Sequence, residues 1–175
     1  MIKSIVLVIV VLIAAVLVFA ATRPDTFRIE RSTVIKAPPE RIFGLINDFH
    51  QWEAWSPWEK LDPALKRTYE GAASGKGAVY TWSGDKNVGA GRMEIIETVP
   101  FSKLVIKLDF SAPFKANNMV DFKLEGQGDS TRVTQAMFGP SPFVSKLMGL
   151  FFNVDKMVGD KYEEGFASIK KIAEK

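Results

Sequence analysis

The sequence predicts an α+β domain in which a curved antiparallel sheet of about seven strands wraps around a long C-terminal helix. Two short helices follow the first strand, and an apolar helix precedes the domain. Three observations lead there. Residues 103–110 and 116–125 alternate apolar and polar side chains, with Leu104, Ile106, Leu108 and Phe110, then Val120, Phe122 and Leu124, on one side. That is the pattern of antiparallel strands covered on a single face. Tyr162, Phe166, Ile169 and Ile172 recur at helical spacing with Lys and Glu between them. Six of the 13 glycines fall between Gly71 and Gly91, around the strand formers Val79, Tyr80, Thr81 and Trp82, where they mark turns and bends.

The chain starts with its most apolar stretch. From Ile5 to Ala21 there is no charge, no Pro and no Gly, with Lys3 on one flank and Arg23-Pro24-Asp25 on the other. A run of this length sits near the lower limit for crossing a bilayer and exceeds most signal-peptide cores. Val18-Phe19-Ala20 and Phe19-Ala20-Ala21 are poor cleavage sites, because small residues are preferred at both key positions. The expectation is a retained transmembrane anchor over residues 1–22, a linker over 23–26 and one domain over 27–175, with a cleaved signal as the alternative. If Lys3 stays cytoplasmic, the domain lies on the extracytoplasmic side of the membrane.

No cysteine is present, which excludes disulfides, thiolate catalysis and cysteine-held metals. Met1–Thr22 carries one cation and no anion, so the remainder has 22 basic and 20 acidic residues and a net charge of +2. That is no nucleic-acid footprint, which needs clustered excess charge. Gly75-Lys76 invites comparison with a phosphate loop. Only three residues separate Gly71 from Gly75, however, and Gly77 follows the lysine, where the motif needs four residues and then Ser or Thr.

Along the domain, residues 27–36 alternate as a first strand. Ala37-Pro38-Pro39-Glu40 opens a helix, since a proline in the first turn loses no partnered N–H. Ile42, Phe43, Leu45 and Ile46 form its apolar face, and Phe49 extends it. His50 to Trp58 holds three of the four tryptophans and predicts a second short helix broken by Pro57. Strands follow over 66–72, 77–83, 92–99, 103–110, 116–125 and 131–138, with a hairpin turn at Gly126-Gln127-Gly128-Asp129. From Pro142 to Lys175 an apolar and then amphipathic helical segment covers the sheet. A helix too slender to fill the concave face leaves space beneath it.

These elements carry a resemblance. Ala37-Pro38-Pro39-Glu40-Arg41-Ile42-Phe43, Trp52, Trp55-Ser56-Pro57-Trp58 and Asp62-Pro63 come first. Tyr69-Glu70-Gly71, Ser74-Gly75-Lys76-Gly77-Ala78, Tyr80-Thr81-Trp82 and Gly89-Ala90-Gly91-Arg92-Met93-Glu94-Ile95 follow, then Thr131-Arg132-Val133-Thr134 and Glu163-Glu164-Gly165-Phe166. In this order they resemble the helix-grip fold of the SRPBCC or START-like (Bet v 1-like) superfamily, in its bacterial polyketide cyclase/dehydrase-like branch. The resemblance covers nearly all of residues 26–175. It implies a hydrophobic cavity between sheet and C-terminal helix that binds lipids, sterols, polyketides or other apolar molecules. An N-terminal membrane segment is common in this branch. The fold hosts carriers and enzymes alike, so it does not specify function.

Strand parity puts Tyr80, Trp82, Met93, Ile106, Leu108, Phe110, Phe122, Gln135 and Met137 on the concave face, with Phe151, Met157 and Phe166 closing the cavity from the helix. Gln135 stands out, because a buried amide needs hydrogen-bond partners. It either orients a ligand carbonyl or hydroxyl, or pairs with Tyr80 or nearby backbone. His50, the single histidine, lies between the first helix and the tryptophan-rich segment, with Asp48 expected to face another way. No carboxylate pair, metal-ligand spacing or catalytic set emerges, and no cofactor is expected. Two functions compete. One is a membrane-anchored binding module for a hydrophobic small molecule or lipid. The other is a cyclase- or dehydratase-type enzyme using Gln135 and Tyr80.

Overall fold

In the computed structural model, which describes residues 2–175, the first element is the apolar helix α1 (Ile2–Ala21). Residue 1, the start of the expected anchor, lies outside the described residues. Strand β1 (Thr26–Ile35) ends where Ala37 and Pro38 turn the chain into α2 (Pro39–Ile46), with Pro39 in the first helical turn as the sequence predicts. The tryptophan-rich segment is divided. It forms a 3-10 turn over Phe49–Gln51, the single turn α3 (Trp52–Trp55) and a second 3-10 turn over Pro57–Lys60. Pro57 therefore ends one helical turn and opens the next.

Six strands follow: β2 (Lys66–Gly71), β3 (Ala78–Ser83), β4 (Ala90–Val99), β5 (Lys103–Ala112), β6 (Ala116–Gln127) and β7 (Ser130–Pro140). All pairings are antiparallel, in the order β1-β7-β6-β5-β4-β3-β2. Register shifts between β4 and β5 leave Ser111 of β5 and Ile96 of β4 as extra residues, bulges that bend these strands. Gly71 has φ 74°, and a Cβ there would overlap the Gly77 carbonyl oxygen, so the β2–β3 turn needs glycine at this position.

The C-terminal segment is two helices rather than one. α4 (Phe143–Met148) stops at Gly149, and α5 (Val154–Ala173) starts afresh with Asn153 as its N-cap, accepting from the Lys156 N–H at 2.9 Å. α5 buries Gly159, Tyr162, Phe166, Ile169 and Ala173, a stripe with steps of three and four. Burying each large apolar side chain of that stripe contributes about 1.5–3 kcal/mol before the cost of ordering it. Arg31 of β1 passes over Gly159, where a Cβ would overlap its guanidinium, and reaches Asp155 Oδ2 at 2.8 Å. The fully buried centre, Ile35, Ile42, Ile46, Ile95, Leu104, Ile106, Phe122, Val133 and Ile169, joins sheet, α2 and α5 at the end of the sheet remote from α1.

Candidate functional site

A cavity of about 150 Å³ separates the other end of the sheet from α5. Its floor is Tyr80 and Trp82 of β3, Met93 of β4, Leu108 and Phe110 of β5, Val120 of β6, and Gln135 and Met137 of β7. Val158 and Tyr162 of α5 roof it, and Trp52, Ser56, Trp58 and Glu59 close one side, with Leu65 and Val88. The volume matches an apolar cavity that takes up one benzene. Trp58, Val88, Phe110, Met137 and Val158 are partly exposed, whereas Tyr80, Met93, Leu108, Val120 and Gln135 are buried, so access to the cavity lies among the first five.

Beside the buried Ser56 hydroxyl, which makes no cap bond, two larger polar side chains in this wall make no side-chain hydrogen bond. Gln135 is 4% exposed, and its amide makes no hydrogen bond among the described residues. β7 keeps unbroken register with both β1 and β6 through this position, so no bulge alters its inward direction. Tyr80 is not its partner. Tyr162, 3% exposed, likewise has no hydrogen-bond partner among the described residues, and burial pushes its hydroxyl pKa up. Among the described residues the fully enclosed side-chain oxygens without a partner are Asn47 Oδ1 and Asp109 Oδ1, so the polar atoms of Gln135 and Tyr162 retain some accessible surface.

The third polar feature is fully satisfied. Tyr80 donates to Glu59 Oε1 at 2.6 Å, and Arg67 Nε donates to Glu59 Oε2 at 2.6 Å. Arg67 also lies 3.0 Å from Glu53. Burial, then the hydrogen bond to Glu59, pushes the Tyr80 pKa well up, so the phenol stays protonated. Glu59 carries no periodic signal in the sequence. A 3-10 turn places it, and its partners lie 8 and 21 residues away.

The expected site residues divide into three groups. Tyr80, Trp82, Met93, Leu108, Phe110, Gln135 and Met137 come together around the cavity. Ile106, Phe122 and Phe166 are buried in the packed core instead of the cavity wall. Phe151 and Met157, expected to close the cavity from the helix, are 70% and 63% exposed and stand outside it. The reason is the break before α5: Val158 and Tyr162 supply the roof, and Met157 points away. Trp52 and Trp55 pack against Phe122, with ring centroids 6.3 and 6.4 Å apart, while Trp58 lines the cavity beside Tyr162.

His50 is outside the cavity. Asp48, expected to face away from it, caps the 3-10 turn, and its Oδ1 lies 2.8 Å from His50 Nδ1. The tight turn, rather than a continued α-helix, brings the two together. The imidazole stacks on Tyr69 with centroids 4.1 Å apart. Among the described residues no group of three His, Asp or Glu side chains is placed to hold a metal ion.

Gly91 makes the room that Trp82 occupies. A Cβ at Gly91 would overlap the six-membered ring of Trp82 and crowd the Asp109 carbonyl. Gly91→Val is expected to cost about 1–3 kcal/mol by overpacking and to push Trp82 into the cavity. Thermal unfolding and Trp82-sensitive near-ultraviolet dichroism check this; unchanged spectra would contradict it.

A family model described as "Polyketide cyclase / dehydrase and lipid transport" matches residues 26–174. No curated relative matches the chain. Among solved structures, the di-domain ARO/CYC BexL from the BE-7585A biosynthetic pathway is 14% identical with a TM-score of 0.65, covering 90% of this chain and 53% of its own. Hypothetical protein jhp0584 from Helicobacter pylori is 8% identical with a TM-score of 0.64, covering 84% and 88%. Ara h 8.0201 is 14% identical with a TM-score of 0.58, covering 85% and 97%. At these identities the likeness is one of fold.

Proposed function

The chain belongs to the polyketide cyclase/dehydrase and lipid transport family, and from that premise we propose that it is a membrane-anchored binding module for a compact hydrophobic ligand. The ligand is lipid-like or polyketide-like and carries a carbonyl or hydroxyl group. The observation that carries this reading is an apolar cavity in which two buried polar side chains, Gln135 and Tyr162, have no protein partner. A ligand with one polar group and a ring-sized apolar body satisfies both requirements. α1 supports the anchor: 20 residues rise about 30 Å, one hydrocarbon thickness. Residues 1–22 then form the anchor, 23–26 the linker and 27–175 the binding domain, on the extracytoplasmic side.

Native mass spectrometry of the full chain in mild detergent, followed by extraction of the bound molecule, tests this. A recurrent small-molecule adduct is expected. Gln135→Leu is expected to weaken its retention about tenfold, the equivalent of one hydrogen bond, without lowering the melting temperature. Repeated preparations free of any adduct would overturn the reading.

A second reading, a cyclase- or dehydratase-type enzyme, draws on Glu59, a buried carboxylate in the cavity wall. In it Gln135 and Tyr80 steer the substrate. The raised Tyr80 pKa opposes proton donation by the phenol near neutral pH. Turnover of the extracted molecule that vanishes in Tyr80→Phe would favour this reading over simple binding.

A further inference from the structure

We propose that the end of the domain nearest α1 is a bilayer-docking face, and that the cavity opens on it, so that ligand passes between cavity and lipid without crossing water. The proposal rests on reading α1 as a retained membrane anchor. Residues 2–19 of α1 are exposed along their whole length, and only Ala20 is buried. α1 therefore projects from the domain, and it meets α4 where its C-terminal part buries Ala20. Lys146 of α4, its side chain 8% exposed, pairs with Asp25 at 2.5 Å just after α1. A helix that spans a bilayer thus delivers α4 to the membrane surface.

The surface found there is apolar. Phe143 and Val144 of α4, Phe151 and Phe152 of the α4–α5 link, and Met157 of α5 are 45–70% exposed. Residues 141–154 contain one charge, Lys146, and Asp25 neutralises it. Phe114, 75% exposed, sits in the turn between β5 and β6. Antiparallel register puts this turn at the same end of the sheet: Thr26 pairs with Pro140, Met119 with Phe138, and Ala116 with Phe110. The four phenylalanines alone present on the order of 500 Å² of apolar surface, near the top of the range for the largest patch on a soluble monomer.

Phe110 and Val158, two of the partly exposed residues that line the cavity, lie at this same end of the domain, Phe110 next to the turn that carries Phe114 and Val158 in the first turns of α5. An apolar face of this kind settles about 5–10 Å into the headgroup boundary of a bilayer.

The absence of native cysteine makes the test direct. Single-cysteine variants of the full chain, Val10→Cys, Phe114→Cys, Phe151→Cys and Asp129→Cys, are labelled with a nitrobenzoxadiazole fluorophore and reconstituted into phosphatidylcholine vesicles. Asp129 lies beyond the other end of β7, about 35 Å from the docking face. Spin-labelled phosphatidylcholine is expected to lower emission at positions 10, 114 and 151 at least about twofold and leave position 129 unchanged. Aqueous iodide is expected to quench position 129 alone.

Lipid quenching at 10 but not at 114 or 151, with iodide access to both, would overturn docking and leave the anchor standing. Shielding of 151 from iodide without lipid quenching would mean that a second copy covers the face, which also overturns it. Quenching at 151 but not at 114 would leave a tilted contact and refute the lipid-facing mouth. No quenching at 10 with quenching at 114 and 151 would uphold docking and refute the anchor; none at any position would refute both. Val144→Cys, at a site 67% exposed, repeats the measurement should Phe151→Cys fold poorly.

Discussion

Glu59→Ala is expected to lower the stability of the domain by about 3 kcal/mol, because it strips two donors of their acceptor at once. Tyr80 loses the carboxylate it meets at 2.6 Å inside a largely apolar wall, and Arg67 loses its shorter ion pair. Breaking a buried pair costs about 3–5 kcal/mol. The lower end applies here because the Arg67 side chain is 23% exposed and keeps Glu53 at 3.0 Å. For a domain of this size the loss corresponds to a melting temperature about 6–12 °C lower. Glu59→Gln retains an acceptor for Tyr80 and is expected to lose about 1 kcal/mol. Thermal unfolding of the full chain in mild detergent checks both. A Glu59→Ala protein that melts with the wild type would show that the carboxylate does not hold the cavity wall together.

Trp55→Ala is expected to cost about 3–5 kcal/mol, the range for removing a large aromatic from a packed core. Trp55 is 1% exposed. Its ring meets Phe122 edge-on and the flat side of α5 at Gly165, where a Cβ would lie 3.5 Å from it. Its indole N–H donates to the Leu45 carbonyl at 2.9 Å, tying α3 to the last turn of α2. Trp55→Phe keeps most of the packing and is expected to lose about 1–2 kcal/mol, chiefly the hydrogen bond. Denaturant titration gives the two values. By contrast Phe151→Ala removes an equally aromatic side chain from an exposed position and is expected to change stability by less than about 0.5 kcal/mol. If Trp55→Ala and Phe151→Ala had similar effects, the assignment of one to the core and the other to the surface would be wrong.

β5 and β6 were the most legible strands because their apolar side repeats with period two. Gln135 of β7 is a further case: parity with Val133 and Met137 placed a polar side chain inward, and it lies there. The helical stripe Tyr162, Phe166 and Ile169 was equally legible. Its role was not, since the period says which side of α5 is buried and not whether a residue meets the core or a void. Tyr162 reaches the cavity while Phe166 fills the core beside it. Phe151 and Met157 were assigned inward because the apolar run from Phe143 to Val158 gives no phase. The break at Gly149–Asn153 decides the phase. Glu59 escaped notice because a 3-10 turn has no amphipathic repeat and its partners are remote in sequence.

By itself the sequence determined the α+β architecture, the inward face of the central strands and the apolar helix at its start. Those are local periodicities, written in adjacent residues and enforced by which side chains leave water. The tertiary structure alone decided where the sheet and α5 fail to meet, which polar groups in that gap stay unpaired, and which apolar residues remain outside. Such features depend on the bulges between β4 and β5, the placement of Gly91 under Trp82 and the fresh start of α5 at Asn153. Each sets a distance between segments far apart in the chain, and no local repeat encodes a distance of that kind.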